Sequence, residues 1–288
     1  MAGRGGGSVR AMPDPSALGA LTKRLGPPRI ASLIVTIWGD AVAPRGGSLW
    51  LGSLQAILDR FGCNPGQVRT AMSRLTEEGW LARNRVGRNS FHRLGPRGEA
   101  AFGAAARRIY RARPPAWDGQ FRLAMTTDPA VAEALAGRQF GQAGPGLWIG
   151  LRGAAEELPA AATVLMAAPR SLAEARDLAA RAWPLAAIAA AHERFVTAFA
   201  PLEGVVPDAA EALPLRLLLV HEWRRIALRD PALPDALLPD GWPGRDAAAL
   251  AARLYAALVP AAEAWLDEAG RNEAGPLPPA SLAGRFEL

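Results

Sequence analysis

The stretch from Asn64 to Leu94, NPGQVRTAMSRLTEEGWLARNRVGRNSFHRL, changes its periodicity halfway, and that change limits the folds open to the chain. Its first half begins as a helix. Asn64 suits an N-cap and Pro65 the first helical position, so a helix is predicted from Pro65 to about Glu78. At about 100° per residue, Val68, Met72 and Leu75 fall on one side with Ala71 beside them. Gly66, Thr70, Ser73 and Glu77 point the opposite way, and Arg69 and Arg74 flank that outer face. The second half reads as two short strands, WLARNR and SFHRL, joined through VGRN, where Gly87 suits a tight turn. Arg83, Arg85, Arg88 and Arg93 lie along this hairpin.

Upstream, a first helix is predicted near Arg29 to Gly39, because Ile30, Leu33, Ile34 and Ile37 follow helical spacing and a glycine ends the run. After a loop, DAVAPRGG, Ser48 reads as the cap of a second helix carrying Leu51, Leu54, Ile57, Leu58 and Phe61, stopped by Gly62. Three helices followed by a basic hairpin describe a winged helix-turn-helix, in which the third helix enters the major groove and the hairpin lies along the backbone. Small outward residues let that helix approach closely, and flanking guanidiniums reach phosphates or a guanine edge. The candidate DNA contacts are Gln67, Arg69, Thr70, Ser73 and Arg74 on the helix, with Arg83, Arg85, Arg88 and Asn89 on the hairpin.

The charge distribution agrees with a polyanionic partner. The net charge of +6 conceals a split: residues 1–115 hold 18 Lys and Arg against 6 Asp and Glu, whereas the rest hold 15 against 21. The basic charge belongs to one end, and double-stranded nucleic acid is the common polyanion that such a domain attracts. Arginine-rich usage (Lys23 is the only lysine) accounts for Arg over Lys but not for the segregation. Runs such as SLIVTIW and LRLLLV fall short of the roughly 20 apolar residues of a membrane span, so no membrane role is expected. The N-terminal segment has positive charge but no apolar stretch of a secretory signal, and reads as a flexible tail. The single cysteine, Cys63, forms no internal disulfide, which fits a reducing, cytoplasmic setting.

Several segments carry a resemblance that runs over most of the chain. SLIVTIWGDAVAPRGGSLWLGSL, VRTAMSRLTEEGWL, RRIY followed by WDG, PGLWIG and HEWRRIALRDPALPDALLPDGWPG are similar to the PaaX-type repressors of phenylacetic acid degradation operons, in the family's order. The resemblance implies an α+β protein with an N-terminal winged helix, a middle ferredoxin-like domain of the kind seen in Cas2, and a helical C-terminal domain. It also implies a homodimer released from operator DNA by an aryl-acetyl coenzyme A thioester, with phenylacetyl-CoA the expected effector and no cofactor. The expected division is a tail over 1–25, a winged helix over 26–113, the middle domain over 114–183 and the helical domain over 184–288.

The middle region is compatible with that division. QFRLAM, GLWIGL and TVLMAAP read as strands, Asp128 with Pro129 starts one helix, and SLAE from Ser171 to Glu174 is a capping box for another. Asp128 ends the first strand where Cas2-like nucleases hold a metal, so a metal-dependent nuclease fused to a DNA-binding domain is the alternative; beside proline the same aspartate is an ordinary N-cap. A DNA-indifferent adaptor is the other alternative. In the C-terminal region, helices are expected near Leu185 to Phe199, Leu213 to Leu228 and Arg245 to Ala269. Between the last two, four prolines in RDPALPDALLPDGWPG make a shaped, non-helical segment. His221, Arg225 and Arg229 follow one another at i, i+4 and i+8, with Glu222 three residues before Arg225. Together with Trp223, Arg224 and Trp242 they are the candidate effector contacts, guanidiniums for phosphates and indoles for apolar surface. The structural alternative is that Glu222 and Asp230 neutralise those arginines and pin the proline segment. Three scattered histidines, His92, His192 and His221, and no glycine-rich phosphate loop argue against an enzyme.

Overall fold

The computed structural model describes residues 16–110, 116–151, 158–205 and 209–286, and it is an α+β protein. The first third comprises α1 (Ala17–Leu25), α2 (Ile30–Ile37), β1 (Ser48–Trp50), α3 (Leu51–Asp59), α4 (Pro65–Glu77), β2 (Leu81–Val86), β3 (Asn89–Leu94) and α5 (Pro96–Ile109). The three strands form one antiparallel sheet in the order β1-β3-β2.

Three expectations for this region need correction. Gly39 does not end the first helix: α2 runs into a π-helical turn over Trp38–Val42 and a 3-10 turn over Ala43–Arg45. A Cβ at position 39 would lie 2.8 Å from Cε1 of Phe102, so the glycine serves the close approach of α5. Ser48 caps no helix, because Ser48–Trp50 pairs with β3 and α3 starts only at Leu51. Part of the expected tail is also folded. Ser16 Oγ accepts from Gly19 N to start α1, whose Leu18 and Leu21 are buried, and Arg24 donates to Thr197 O at 2.9 Å. Residues 1–15 of that tail lie outside the described residues.

The middle third forms a four-stranded antiparallel sheet from β4 (Phe121–Met125), β5 (Gly141–Gly144), β6 (Leu147–Leu151) and β7 (Thr163–Ala167), in the order β5-β6-β4-β7. One face packs on α6 (Pro129–Gly137) through Ala124, Val131, Leu135 and Phe140, and Phe121 on the other packs on Ala175 and Ala179 of α7 (Leu172–Ala182). The strand β5 has no apolar or β-branched signature, and its sequence, GQAG, gave no reason to expect it. Its first glycine has a packing cause: a Cβ at Gly141 would lie 2.7 Å from the Trp183 ring.

The last third is α8 (Leu185–Phe199), α9 (Ala209–Ala227), α10 (Gly244–Ala269) and a terminal hairpin, β8 (Arg271–Asn272) with β9 (Gly275–Pro276). The three helices fall close to their expected positions. By length and composition α10 is one helix apolar enough to cross a membrane, but Leu250, Ala251, Leu254, Leu258 and Leu266 are packed inside the protein. The proline segment is a wall, since its Leu233, Leu237 and Leu238 join Phe121, Ile149 and Trp183 in one buried cluster. A second, larger cluster runs without interruption from Leu33, Ile34 and Ile37 of α2 to Leu213, Leu217 and Leu250 of the last third. The N-terminal helices and the C-terminal helices therefore share one core.

Candidate nucleic-acid interface and its anchorage

Helix α4 is started by a full capping box. Asn64 Oδ1 accepts from Gln67 N at 3.0 Å, and Gln67 Oε1 accepts from Asn64 N at 3.1 Å, satisfying donors that a helix start leaves open. Val68, Ala71, Met72 and Leu75 are buried, while Gln67, Arg69, Thr70, Ser73 and Arg74 are exposed together, as the periodicity required. Among the described residues Arg69 carries no ion pair. Arg74 Nε donates to Glu78 Oε1 at 2.7 Å, and Ser73 Oγ to Glu77 Oε1 at 2.8 Å. Both are exposed i,i+4 contacts, which open cheaply when a competing anion arrives.

The hairpin projects beside this helix. Its register pairs Val86 with Asn89, so the loop is only Gly87 and Arg88, and Gly87 has φ +59°. A side chain at that φ is strained, which is why glycine stands there. Arg83, Arg85, Arg88 and Asn89 are exposed, with Arg83 Nη2 donating to Ser90 Oγ at 2.9 Å and Arg85 Nε to Gly87 O at 3.3 Å. The base of the hairpin is held from below: Glu273 on the β8–β9 turn accepts from Ser48 Oγ at 2.6 Å and from Asn84 Nδ2 at 3.3 Å.

The attachment of this head to α9 and α10 is polar and buried. Asp40, in the π-helical turn, accepts from Arg216 Nε at 2.7 Å, Tyr110 Oη at 2.7 Å, Arg285 Nη1 at 2.8 Å and Tyr255 Oη at 3.1 Å. Arg216 also pairs with Glu263, which pairs with Arg45, and Arg45 Nη1 reaches Asp267 Oδ1 at 2.7 Å. Three guanidiniums thus meet three carboxylates, and the cluster is neutral. Burial alone would raise the Asp40 carboxyl, but Arg216 and Arg285 outweigh it and hold the group below the ordinary carboxylate range. The π-helical turn frees backbone carbonyls, and the same arginines use them: Arg285 Nη2 donates to Gly39 O and Nη1 to Asp40 O, both at 2.8 Å.

The candidate effector residues divide into two groups. His221, Trp223 and Arg224 are turned inward. Arg224 donates to Thr36 Oγ1 at 2.8 Å and to Ser32 Oγ at 2.7 Å, His221 Nδ1 lies 3.0 Å from the same Thr36 hydroxyl, and Trp223 Nε1 donates to Ile109 O at 2.7 Å. They join α9 to α2 and α5. Arg225 and Arg229 are exposed, Arg225 pairing with Glu222 at 3.1 Å, and Trp242 is half-buried with its ring 5.9 Å from that of His192. Asp230 does not neutralise the stripe; it accepts from Ala232 N at 2.7 Å and meets His192 Nε2 at 2.8 Å. In the middle region Asp128 is an N-cap, accepting from Ala130 N at 2.8 Å, and no group of three or more His, Cys, Asp or Glu side chains fit to hold a metal occurs among the described residues.

Sequence reading did not find Asp40, Arg45, Arg216, Glu263 or Arg285. Their one signal is a charge set inside an apolar run, Asp40 in LIVTIWGDAV and Arg216 in LPLRLLLV, which demands a buried partner without saying where it is.

These features define a class: an α+β protein that presents a polar, arginine-framed helix and a basic hairpin on one side and ties them into a helical body. Two family models match the chain, PaaX-like protein over residues 29–98 and PaaX-like protein C-terminal domain over residues 183–268, and the chain belongs to the PaaX-like family. It is 36% identical over 279 residues to the transcriptional repressor PaaX of Escherichia coli (strain K12), covering 87% of each chain. An uncharacterized protein of Mycobacterium tuberculosis has the same fold, with a TM-score of 0.55 and 23% identity over 81% of this chain and 97% of that one. The family is one of regulators and not of enzymes.

Proposed function

We propose that the chain is a DNA-binding transcriptional repressor of an aromatic, phenylacetate-type catabolic operon, working in the cytoplasm as a homodimer. The observation that carries this reading is the joint exposure of Gln67, Arg69, Thr70, Ser73 and Arg74 on one face of α4, in a chain 36% identical to a transcriptional repressor. In this reading α2, α3 and α4 with the β2–β3 hairpin are a winged helix-turn-helix, and α4 lies in the major groove. The antiparallel order β5-β6-β4-β7 supports a ferredoxin-like sheet, although α7 follows β7 where the split βαβ pattern has its second helix before the last strand. Nothing favours the nuclease, since Asp128 is occupied as a cap.

Arg69→Ala is expected to weaken operator binding by about 1 to 3 kcal/mol if the arginine reads a base, with folding unchanged. Arg85→Ala and Arg88→Ala should instead weaken binding to all sequences alike and lower the salt slope by roughly one unit for each lost phosphate contact. Electrophoretic retardation unchanged in all three variants would defeat the DNA face.

Release is assigned to an acyl coenzyme A thioester, phenylacetyl-CoA first. Among the candidate effector contacts Arg225, Arg229 and Trp242 are the ones open to it, and His221 and Arg224 supply the link from α9 to Ser32 and Thr36 of α2. A ligand that shifts α9 against α2 thereby moves the helix on which α4 packs. A hundredfold loss of operator affinity requires about 2.7 kcal/mol of coupling, and by reciprocity operator DNA must weaken ligand binding by the same factor. Calorimetry with and without operator tests this; equal ligand affinity in both states rejects the release mechanism.

A further inference from the structure

The β2–β3 hairpin outruns its support. From Arg85 to Asn89 every residue is exposed, and a two-stranded ribbon in water is marginal by itself. Its pitch against α4 is therefore set at its stem. One face of the stem lies on the core, where Leu49 and His92 are register partners and both are buried. The other face carries Ser48, Arg93, Phe91 and Asn84, since Ser48 pairs with Arg93, Asn84 pairs with Phe91, and residues two apart on a strand share a face. The carboxylate of Glu273 spans that second face. It accepts from Ser48 on β1 and from Asn84 on β2, two strands that are not neighbours because β3 runs between them. Among the described residues the bond to Asn84 is the outermost hydrogen bond between the hairpin and another element.

Glu273 is itself held in place. Asn272 Oδ1 accepts from Ala274 N at 2.9 Å and shapes the β8–β9 turn, and Leu277, after β9, is buried with its N donating to Gly270 O at 3.2 Å. Ser53 of α3 donates to Ala269 O at 2.8 Å and accepts from Arg271 N at 3.2 Å, so the hairpin that carries Glu273 is docked on the same head it braces. Partial burial would raise the Glu273 carboxyl, but the bonds from Ser48, its own backbone and Asn84, with the charge of Arg93, hold it below the usual carboxylate range. Residues 81–94 contain four arginines and no Asp or Glu, so by charge alone an anion at this place opposes DNA binding. We infer that Glu273 is a positioning residue for DNA binding, which joins β1 to β2 across β3 and thereby fixes the angle at which the hairpin presents Arg85 and Arg88 beside α4. The inference rests on the DNA-binding reading above and adds the β8–β9 hairpin to the DNA-binding head.

Charge and position predict opposite signs. Removing a carboxylate from beside phosphates strengthens binding by charge alone, whereas loss of the brace weakens it. Glu273→Ala should lower operator affinity about tenfold, the worth of one hydrogen bond to a charged group, and reduce the salt slope as phosphate contacts of the hairpin are lost. Glu273→Gln should bind at least as tightly as the wild type, because its amide oxygen accepts from Asn84, its amide nitrogen donates to the Ser48 hydroxyl, and the negative charge is gone. With Arg85→Ala and Arg88→Ala already in place, Glu273→Ala should cost nothing more; with Arg69→Ala in place its cost should persist. In the absence of DNA, amide exchange within residues 81–94 should be faster in Glu273→Ala than in the wild type. An affinity of Glu273→Ala equal to or above that of the wild type, a Glu273→Gln variant as weak as Glu273→Ala, a full cost in the absence of Arg85 and Arg88, or unchanged exchange in the hairpin would each overturn the inference. The exchange comparison separates it from the reading it rests on: unchanged exchange rejects the brace whatever the DNA results, whereas faster exchange in a protein that retards no DNA rejects the DNA reading and not the brace.

Discussion

Replacing Asp40 by alanine is expected to lower the free energy of unfolding by about 3 to 5 kcal/mol, as is usual when one partner of a buried ion pair is removed. The side chain is fully buried and accepts from Arg216, Arg285, Tyr110 and Tyr255. Its removal leaves Arg216, itself fully buried, with Glu263 as its one carboxylate, and it leaves two phenol hydroxyls without their acceptor. The neutral cluster becomes positive around the fully buried Arg216. Adding Arg216→Met should recover part of the loss, because the uncompensated guanidinium disappears and an apolar chain of similar length fills its space. Urea unfolding of the single and double variants followed by circular dichroism measures both quantities. A loss below about 1 kcal/mol for Asp40→Ala, or a double variant at the sum of the two single losses, would show that the charges act independently and that the cluster does not hold the head to the helical body.

The sequence made α4 and the hairpin legible because their information is local. A cap, a first-position proline, a 3.6-residue pattern and a turn glycine all lie within Asn64–Leu94, and the structure keeps each of them. The same local reading misjudged Gly39 and Ser48. A glycine inside an apolar helix looks like a stop when the aromatic ring that requires it, Phe102, is 63 positions away, and a serine before an apolar run looks like a cap when its strand partner is Arg93. The effector stripe shows the limit most clearly. His221, Arg225 and Arg229 share a helical spacing, but α9 packs against α2, so His221 is buried and Arg225 exposed. Spacing says which residues share a line along a helix; only the neighbouring elements decide where that line dips inside.

The pH dependence of stability should be steep on the acid side of neutrality, and two buried histidines set its window. Burial first, then the nearby charges of Arg224 and Arg225, pushes His221 down to about 3. Burial and then Arg83 pushes His92 down to about 4. In the unfolded chain both rings titrate near 6.5. Between those folded values and 6.5 the unfolded chain binds more protons, so stability is complete above about pH 6.5 and falls as the pH drops below it. Each ring contributes a slope approaching about 1.4 kcal/mol per pH unit, which gives a combined loss on the order of 3 to 4 kcal/mol between pH 7 and pH 5. Asp40 does not enter this window. Its folded value is depressed, so the stability it contributes is present above the ordinary carboxylate range and is lost only when the pH falls through that range and below. Unfolding by urea at pH 7 and pH 5 should therefore show the drop in the wild type, a smaller drop in His221→Gln or His92→Gln, and the smallest in the double variant. His221 stands 3.0 Å from Thr36 at the joint between α9 and α2, so His221→Gln should flatten the profile without moving any group of the α4 face. A wild-type stability that is equal at the two pH values, or a double variant as pH-sensitive as the wild type, would mean that these imidazoles are not held neutral by burial and that the joint is wetter than its hydrogen bonds imply.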